Sequence, residues 1–171
     1  IGLPPIDDGQ LLFLMNMVNK MKHNTELGSR IASVHSGSAI FTGDAGSGAS
    51  EIRRYLIEND LIDCVIALPT NIFYNTGIPT YIIFISNKKS KERNNKIQLI
   101  NALSFYERLP KNMGDKNCQM SNNHIDDITK VYLSNTNDGN SKIVDCDSLG
   151  YQSITVERPL RLSAQFIDDL I

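Results

Sequence analysis

Phe73 and Tyr74 stand side by side between two amides, Asn71 and Asn75, with Thr70 and Thr76 beside those amides and a proline at either end, Pro69 and Pro79. Adjacent aromatic rings can stack on a flat ring, and amides and hydroxyls can hydrogen-bond its edge. The two prolines restrict the backbone, so the segment is more ordered than a simple connector. The residues singled out as a pocket for a flat ring are Phe73, Tyr74, Asn75 and Thr76. The competing reading is that Phe73 plugs the end of a sheet and Tyr74 caps a strand, because aromatics serve cores more often than ligands.

Two apolar, β-branched runs flank this segment, Ile62–Leu68 and Tyr81–Ile85. Runs of that length bounded by turn residues read as buried strands. The link between them is too short for a crossover helix, so the two strands are expected to pair antiparallel as a hairpin. Upstream, Leu11, Leu14, Met15, Val18 and Met21 fall at helical spacing, with Asp8 or a neighbour as the cap. Arg30–His35 reads as a strand and Ser50–Asn59 as a second helix, with Ser50 as its cap. Ile97–Ala102 reads as a further strand, and Ser121–Leu133 as a helix capped by Ser121. Asn135–Ser141 reads as a polar loop and Ser153–Val156 as a short strand. Alternating helices and strands argue for an open α/β sheet, mostly parallel, with one antiparallel strand near its edge.

The 171 residues suffice for one domain or a piece of a larger one. The opening Ile1 and the following Leu3-Pro4-Pro5 favour a piece. No apolar run approaches membrane-spanning length and no signal-peptide pattern is present, so no membrane partner is expected. Cys64, Cys118 and Cys146 form no CxxC pair and no cluster with the three histidines, which excludes a sequence-evident metal site. Cys64 within an apolar strand reads as a buried free thiol, which fits a reducing cytoplasm. The net charge of −2 does not by itself point to nucleic acid.

Taken together, DGQLLFL (Asp8–Leu14), GSRIASVHSGSAIFTGDAGSGASEIRRYLIEND (Gly28–Asp60), ALPTNIFYNTGIPTYIIFISN (Ala67–Asn87) and GYQSITVERPLR (Gly150–Arg161) resemble the modification subunit of type I restriction-modification systems. These are N6-adenine DNA methyltransferases. The resemblance implies a Rossmann-like sheet that binds S-adenosylmethionine at its C-terminal edge and methylates an adenine flipped out of the duplex. It further implies DNA, a specificity subunit and a restriction subunit as partners. On this reading Phe73 or Tyr74 packs on the target base, with Asn75 and Thr76 shaping the wall, and Asp8 lies near the cofactor. Asp8 is equally a good helix cap, and that plainer role is favoured.

The family's Asn-Pro-Pro-Phe or -Tyr catalytic motif is absent. Leu3-Pro4-Pro5-Ile6 lacks both the amide and the aromatic, and no glycine-rich cofactor motif lies upstream. The expectation is therefore that residues 1–102 form the C-terminal half of a methyltransferase domain and 103–171 an irregular α+β extension. No catalytic residue is assigned, and no methyl transfer is expected from this chain alone. A sheet cut at a missing neighbour strand would expose an edge and could self-associate.

Basic residues offered for the DNA backbone are Arg53 and Arg54 after the loop Thr42–Gly48 (TGDAGSG), and Lys88 and Lys89 in the run Lys88–Lys96. The plainer readings are a flexible connection ending in a capped helix, and a solvated turn protecting an edge strand. Two other classes compete with the methyltransferase reading. One is a protein-interaction module without chemistry. The other is a phosphate- or nucleotide-binding α/β domain using TGDAGSG, which lacks a P-loop's terminal GK[ST].

Overall fold

A computed structural model describes residues 2–158. The first helix, α1 (Gln10–Asn19), buries Leu11, Leu14, Met15 and Val18 on one stripe, and Met21 just beyond it joins the same core. Each such side chain contributes about 1.5–3 kcal/mol when removed from water. The cap is Gly9, beside Asp8. Next come β1 (Arg30–Ser36), a single helical turn α2 (Ser38–Phe41), and α3 (Gly48–Glu58). The cap of α3 is Ser47 and not Ser50: the Ser47 hydroxyl accepts from the Ser50 N–H at 3.3 Å.

The two apolar runs form β2 (Ile62–Leu68) and β3 (Thr80–Ser86), paired antiparallel as expected. After a charged turn, β4 (Lys96–Asn101) pairs parallel to β2. A two-stranded ribbon follows, β5 (Glu107–Met113) and β6 (Lys116–Gln119), then α4 (Asn122–Ser134) capped by Ser121, and β7 (Ser141–Asp145). The main sheet has the order β1-β3-β2-β4-β7. In it β1, β2 and β4 run one way, and β3 runs against both of its neighbours. The expected antiparallel strand thus sits one place in from the edge. A second one, β7, pairs antiparallel with β4 on the far edge. The polar loop expected over Asn135–Ser141 therefore ends in a strand, and the sheet continues across the expected boundary after Ala102.

Two apolar layers cover the sheet. Leu14, Ile52 and Leu56 pack with Ile83, Ile85 and Ile97 on the α1–α3 face. Cys64, Ile66, Leu68 and Ile100 pack with Ile128 of α4 on the other. A polar knot ties that second face together. Arg93 lies 3.3 Å from Asp63, donates to Gln98 at 2.9 Å, and stacks 4.3 Å over the Tyr132 ring. Tyr132 donates its hydroxyl to Asp63, and Gln98 donates to the Val131 carbonyl and to Ser141, both at 2.9 Å. Residues 151–158 carry no strand, with Ile154 and Val156 exposed, so the strand expected at Ser153–Val156 does not form. Among the described residues no strand lies beside it to satisfy its backbone. The extension past residue 158, including the Arg161 end of its fourth matching block, lies outside the described residues.

Candidate functional site

Strand directions decide what meets what. The C-terminal ends of β1, β2 and β4 share one rim of the sheet, and the start of β3 joins them there, with Thr80 opposite both Ser36 and Leu68. The aromatic loop spans β2 to β3 and so stands on this rim. Phe73 is 39% and Tyr74 56% exposed, so neither ring is a core plug.

The loop keeps its shape through its two asparagines and through the β5–β6 ribbon. Asn71 and Asn75 have φ of 58° and 52°, the left-handed region that asparagine tolerates better than most residues. Asn75, expected as a wall of the pocket, thus also has a backbone reason to be there. Asn71 donates its side-chain amide to the Asp115 carbonyl at 2.9 Å, and its own carbonyl accepts from the Asn117 N–H at 3.1 Å. The Cys118 thiol donates to the Thr70 carbonyl at 3.2 Å, and the Tyr74 hydroxyl reaches the Met113 sulfur at 3.4 Å. Lys116 holds its ammonium 5.7 Å from the centre of the Tyr74 ring. Thr76 turns inward on the loop, its hydroxyl accepting from the Ile78 N–H at 3.4 Å. Sequence reasoning missed these ribbon residues. The available signal was Met113-Gly114-Asp115-Lys116, a turn whose Gly114 has φ of 63°.

A second polar cluster occupies the rim at the end of β1. Asp8 accepts from the Gln10 N–H at 3.2 Å and from its side-chain amide at 3.0 Å, while the Ser38 hydroxyl donates to its other oxygen at 2.5 Å. The Gln10 side-chain amide in turn donates to the Ser36 and Ser38 hydroxyls at 2.8 and 2.9 Å, and its Oε1 accepts from the Ser36 N–H at 2.8 Å. The Ser38 hydrogen bond, helped by Gln10, holds the Asp8 carboxyl below its ordinary pKa despite some desolvation. His35 is 4% exposed, and neither ring nitrogen has a partner among the described residues. Burial pushes its pKa down, while the neighbouring Asp8 charge pulls it partly back. Asp8 therefore clips the start of α1 to the end of β1 from one position before the cap, which is Gly9 and not Asp8. Its carboxylate would suit a hydroxyl or cationic group of S-adenosylmethionine. Among the described residues no second group completes a cradle for that cofactor.

The four basic residues divide between two rims. Arg53 and Arg54 lie on α3, whose N-terminal end faces the rim just described. Arg53 donates to the carbonyls of Ala39 at 3.3 Å and Gly43 at 3.5 Å, and Arg54 pairs on the surface with Glu51 at 2.7 Å and Glu58 at 3.6 Å. Lys88 and Lys89 follow the end of β3, a seven-residue strand away at the opposite rim, a span of about 20 Å. Lys89, offered as a phosphate contact, is not placed to be one. Its side chain is 2% exposed, paired with Asp60 at 2.5 Å and donating to the Lys96 carbonyl at 2.9 Å. A cleft of about 1650 Å³ opens on the α3 face between Leu56, Leu99 and Tyr151, and none of Phe73–Thr76 lines it. No cluster able to hold a metal ion is present among the described residues, nor a helix long and apolar enough to cross a membrane.

The profile of the family described as N-6 DNA Methylase matches residues 1–159. The chain is 33% identical over 105 residues to the type I restriction enzyme MjaVIII methylase subunit of Methanocaldococcus jannaschii, covering 61% of this chain and 18% of that protein. It is 31% identical over 101 residues to the HindI methylase subunit of Haemophilus influenzae, covering 59% and 21%. Among solved structures, it superimposes on the type I restriction-modification methyltransferase subunit of Streptococcus thermophilus with a TM-score of 0.69 and 27% identity, over 86% of this chain and 28% of that one. A modification subunit of a putative type I restriction enzyme from Vibrio vulnificus shares the fold, with a TM-score of 0.62 and 18% identity over 84% and 28%. The chain thus spans about a fifth of the length of these curated relatives, and its mixed α/β sheet is part of the Rossmann-like fold of such subunits.

Proposed function

The chain belongs to the N-6 DNA methylase family, and from that premise we propose that it is part of a type I modification subunit that transfers a methyl group from S-adenosylmethionine to N6 of adenine in DNA. The observation that carries this is the pair of exposed aromatics at the rim where the parallel strands end, the edge at which open α/β sheets bind ligands. Phe73 is the stacking face for an adenine swung out of the duplex, because the Tyr74 ring and hydroxyl are already engaged by Lys116 and Met113. Asn75 and Thr76 shape the wall beside it. Asp8 lies on the cofactor side of the rim, and S-adenosylmethionine supplies the methyl group when bound. What this chain does is hold the base in place and keep the rim in shape; the reacting residues lie outside it. Alone, it is inactive.

DNA and the specificity and restriction subunits are the proposed partners. Arg53 and Arg54 are the proposed phosphate contacts, being on the side of the rim. Gly48 counts against the rival nucleotide-binding reading, because the Leu3 backbone covers its α-carbon: a β-carbon there would fall 1.7 Å from the Leu3 carbonyl oxygen. The test is methyl transfer to adenine-containing duplex by the full-length parent protein, with Phe73→Ala beside the wild type. Loss of one base stack, about 1–3 kcal/mol, lowers transfer roughly 5- to 150-fold. Wild-type rates in Phe73→Ala would remove Phe73 from the pocket, and turnover by the 171-residue chain alone would refute its inactivity.

A further inference from the structure

A two-stranded ribbon has little reason to be stable by itself, yet β5–β6 stands almost wholly exposed, with Cys118 its one buried side chain. Its contacts with the rest of the chain converge on the aromatic loop, through Asn71–Asp115, Asn71–Asn117, Tyr74–Met113 and Thr70–Cys118. Gly114 lies so close to Asn75 that a β-carbon would meet its amide oxygen at 2.7 Å. The ribbon also carries three cations, Arg108, Lys111 and Lys116, and none of them is in an ion pair among the described residues. Arg108 shares a shallow groove with Tyr106, at the root of the ribbon. Of the four basic residues offered for the DNA backbone, Lys88 and Lys89 lie at the other rim, and the Lys89 side chain is buried.

We propose that the β5–β6 ribbon is a DNA-backbone contact of the target-base pocket, with Lys111 and Lys116 against phosphates that flank the extruded adenine. This rests on the methyltransferase reading above and adds to it an element that the pocket residues do not include. Lys116 has a double position, over the Tyr74 ring and at the mouth of the loop, so a phosphate it holds is registered directly against the pocket. Lysines on a phosphate act as point charges and confer affinity without sequence preference. That fits a system in which a separate chain reads the site.

The experiment uses the full-length parent protein assembled with its partner chains, and a duplex containing its recognised adenine. Binding is measured over a series of salt concentrations for wild type, Lys111→Ala, Lys116→Ala, the double variant, and Lys130→Ala, which removes a cation from the exposed face of α4. Each ribbon variant is expected to weaken binding and to reduce the slope of log K against log salt by about one, the double variant by about two. Lys130→Ala is expected to keep the wild-type slope, and Lys116→Arg to retain binding. If the wild-type complex methylates adenine and the double variant keeps the wild-type slope, the ribbon proposal alone is overturned. A wild-type complex that transfers no methyl group to adenine overturns the reading beneath it.

Discussion

Replacing Asp63 by alanine should cost this fold about 3 kcal/mol. Asp63 is 6% exposed and faces two donors, the Arg93 guanidinium at 3.3 Å and the Tyr132 hydroxyl. Removing one partner of a buried ion pair costs about 3–5 kcal/mol, because the other charge stays in a dry site without compensation. Arg93 keeps the Gln98 and Tyr132 carbonyl oxygens and the Tyr132 ring, which places the loss at the lower end of that range. At this chain length the melting temperature should fall by roughly 6–12 °C. The assay is equilibrium urea unfolding, with Asp63→Ala compared with Lys130→Ala. The latter breaks an exposed pair at 2.9 Å and should cost at most about 0.5 kcal/mol. Because the knot joins β2, β4, α4 and β7, hydrogen exchange in α4 should accelerate in step with the loss. A loss under about 1 kcal/mol, or one equal to that of Lys130→Ala, would refute the reasoning. It would mean that the guanidinium reaches water once Asp63 is gone.

Three further outcomes follow from other parts of the fold. His35 is held neutral by burial, so the unfolded chain binds a proton that the folded one refuses; stability should therefore fall as pH drops below about 6.5, and His35→Leu should flatten thermal melts across that range relative to wild type. Tyr132 has its pKa pushed up to about 12, by burial first and then by its hydrogen bond to Asp63 and that residue's charge; an ultraviolet titration should show one of the six tyrosines still protonated above the ordinary tyrosine range of about 10, and Asp63→Asn should bring it forward. The stability contributed by that raised pKa is fully present below about pH 10 and lost as pH rises through about 12. Finally, β1 has one free edge among the described residues, and Val34, Phe13 and Phe41 are 51%, 72% and 70% exposed near it. The isolated chain should self-associate with concentration, and Val34→Lys should reduce this in light scattering; a wild type that stays monomeric at high concentration would contradict it.

The parts of this fold that could be read from the sequence are those whose local chemistry already contains the answer. Ile62–Leu68 is a β-branched run that needs no partner to declare itself, and its short link to the next run left only a hairpin. Ser121 announced α4 through its capping position. The Phe73-Tyr74 loop was legible because aromatics among amides are out of place in a core, and both rings are indeed exposed. What stayed hidden depends on distant partners. Ser141–Asp145 holds only Ile143 and Val144 as apolar residues and is a strand because β4 offers it an edge. The ribbon Glu107–Gln119 is polar and contains Pro110, so its strands lack an apolar pattern and only the turn at Gly114 hints at them. The two basic pairs were read by charge alone. Only the strand directions reveal that Lys88 and Lys89 lie a whole sheet length from the aromatic loop.

The hydrogen bond from Asn71 to Asp115 spans 44 residues of chain, and this gives the aromatic loop a place in time. During synthesis β2, the loop and β3 can all emerge before the ribbon that fixes them has been made. At about 5–20 residues per second the delay is roughly 2–9 s. Through that interval the two aromatic rings hang from a finished hairpin without their support. Strands β1 to β3 are therefore early products of the ribosome and the fixed aromatic loop a late one. A chain interrupted between Ser86 and Met113 would have β1, β2 and β3 but not the ribbon that fixes the loop between the last two.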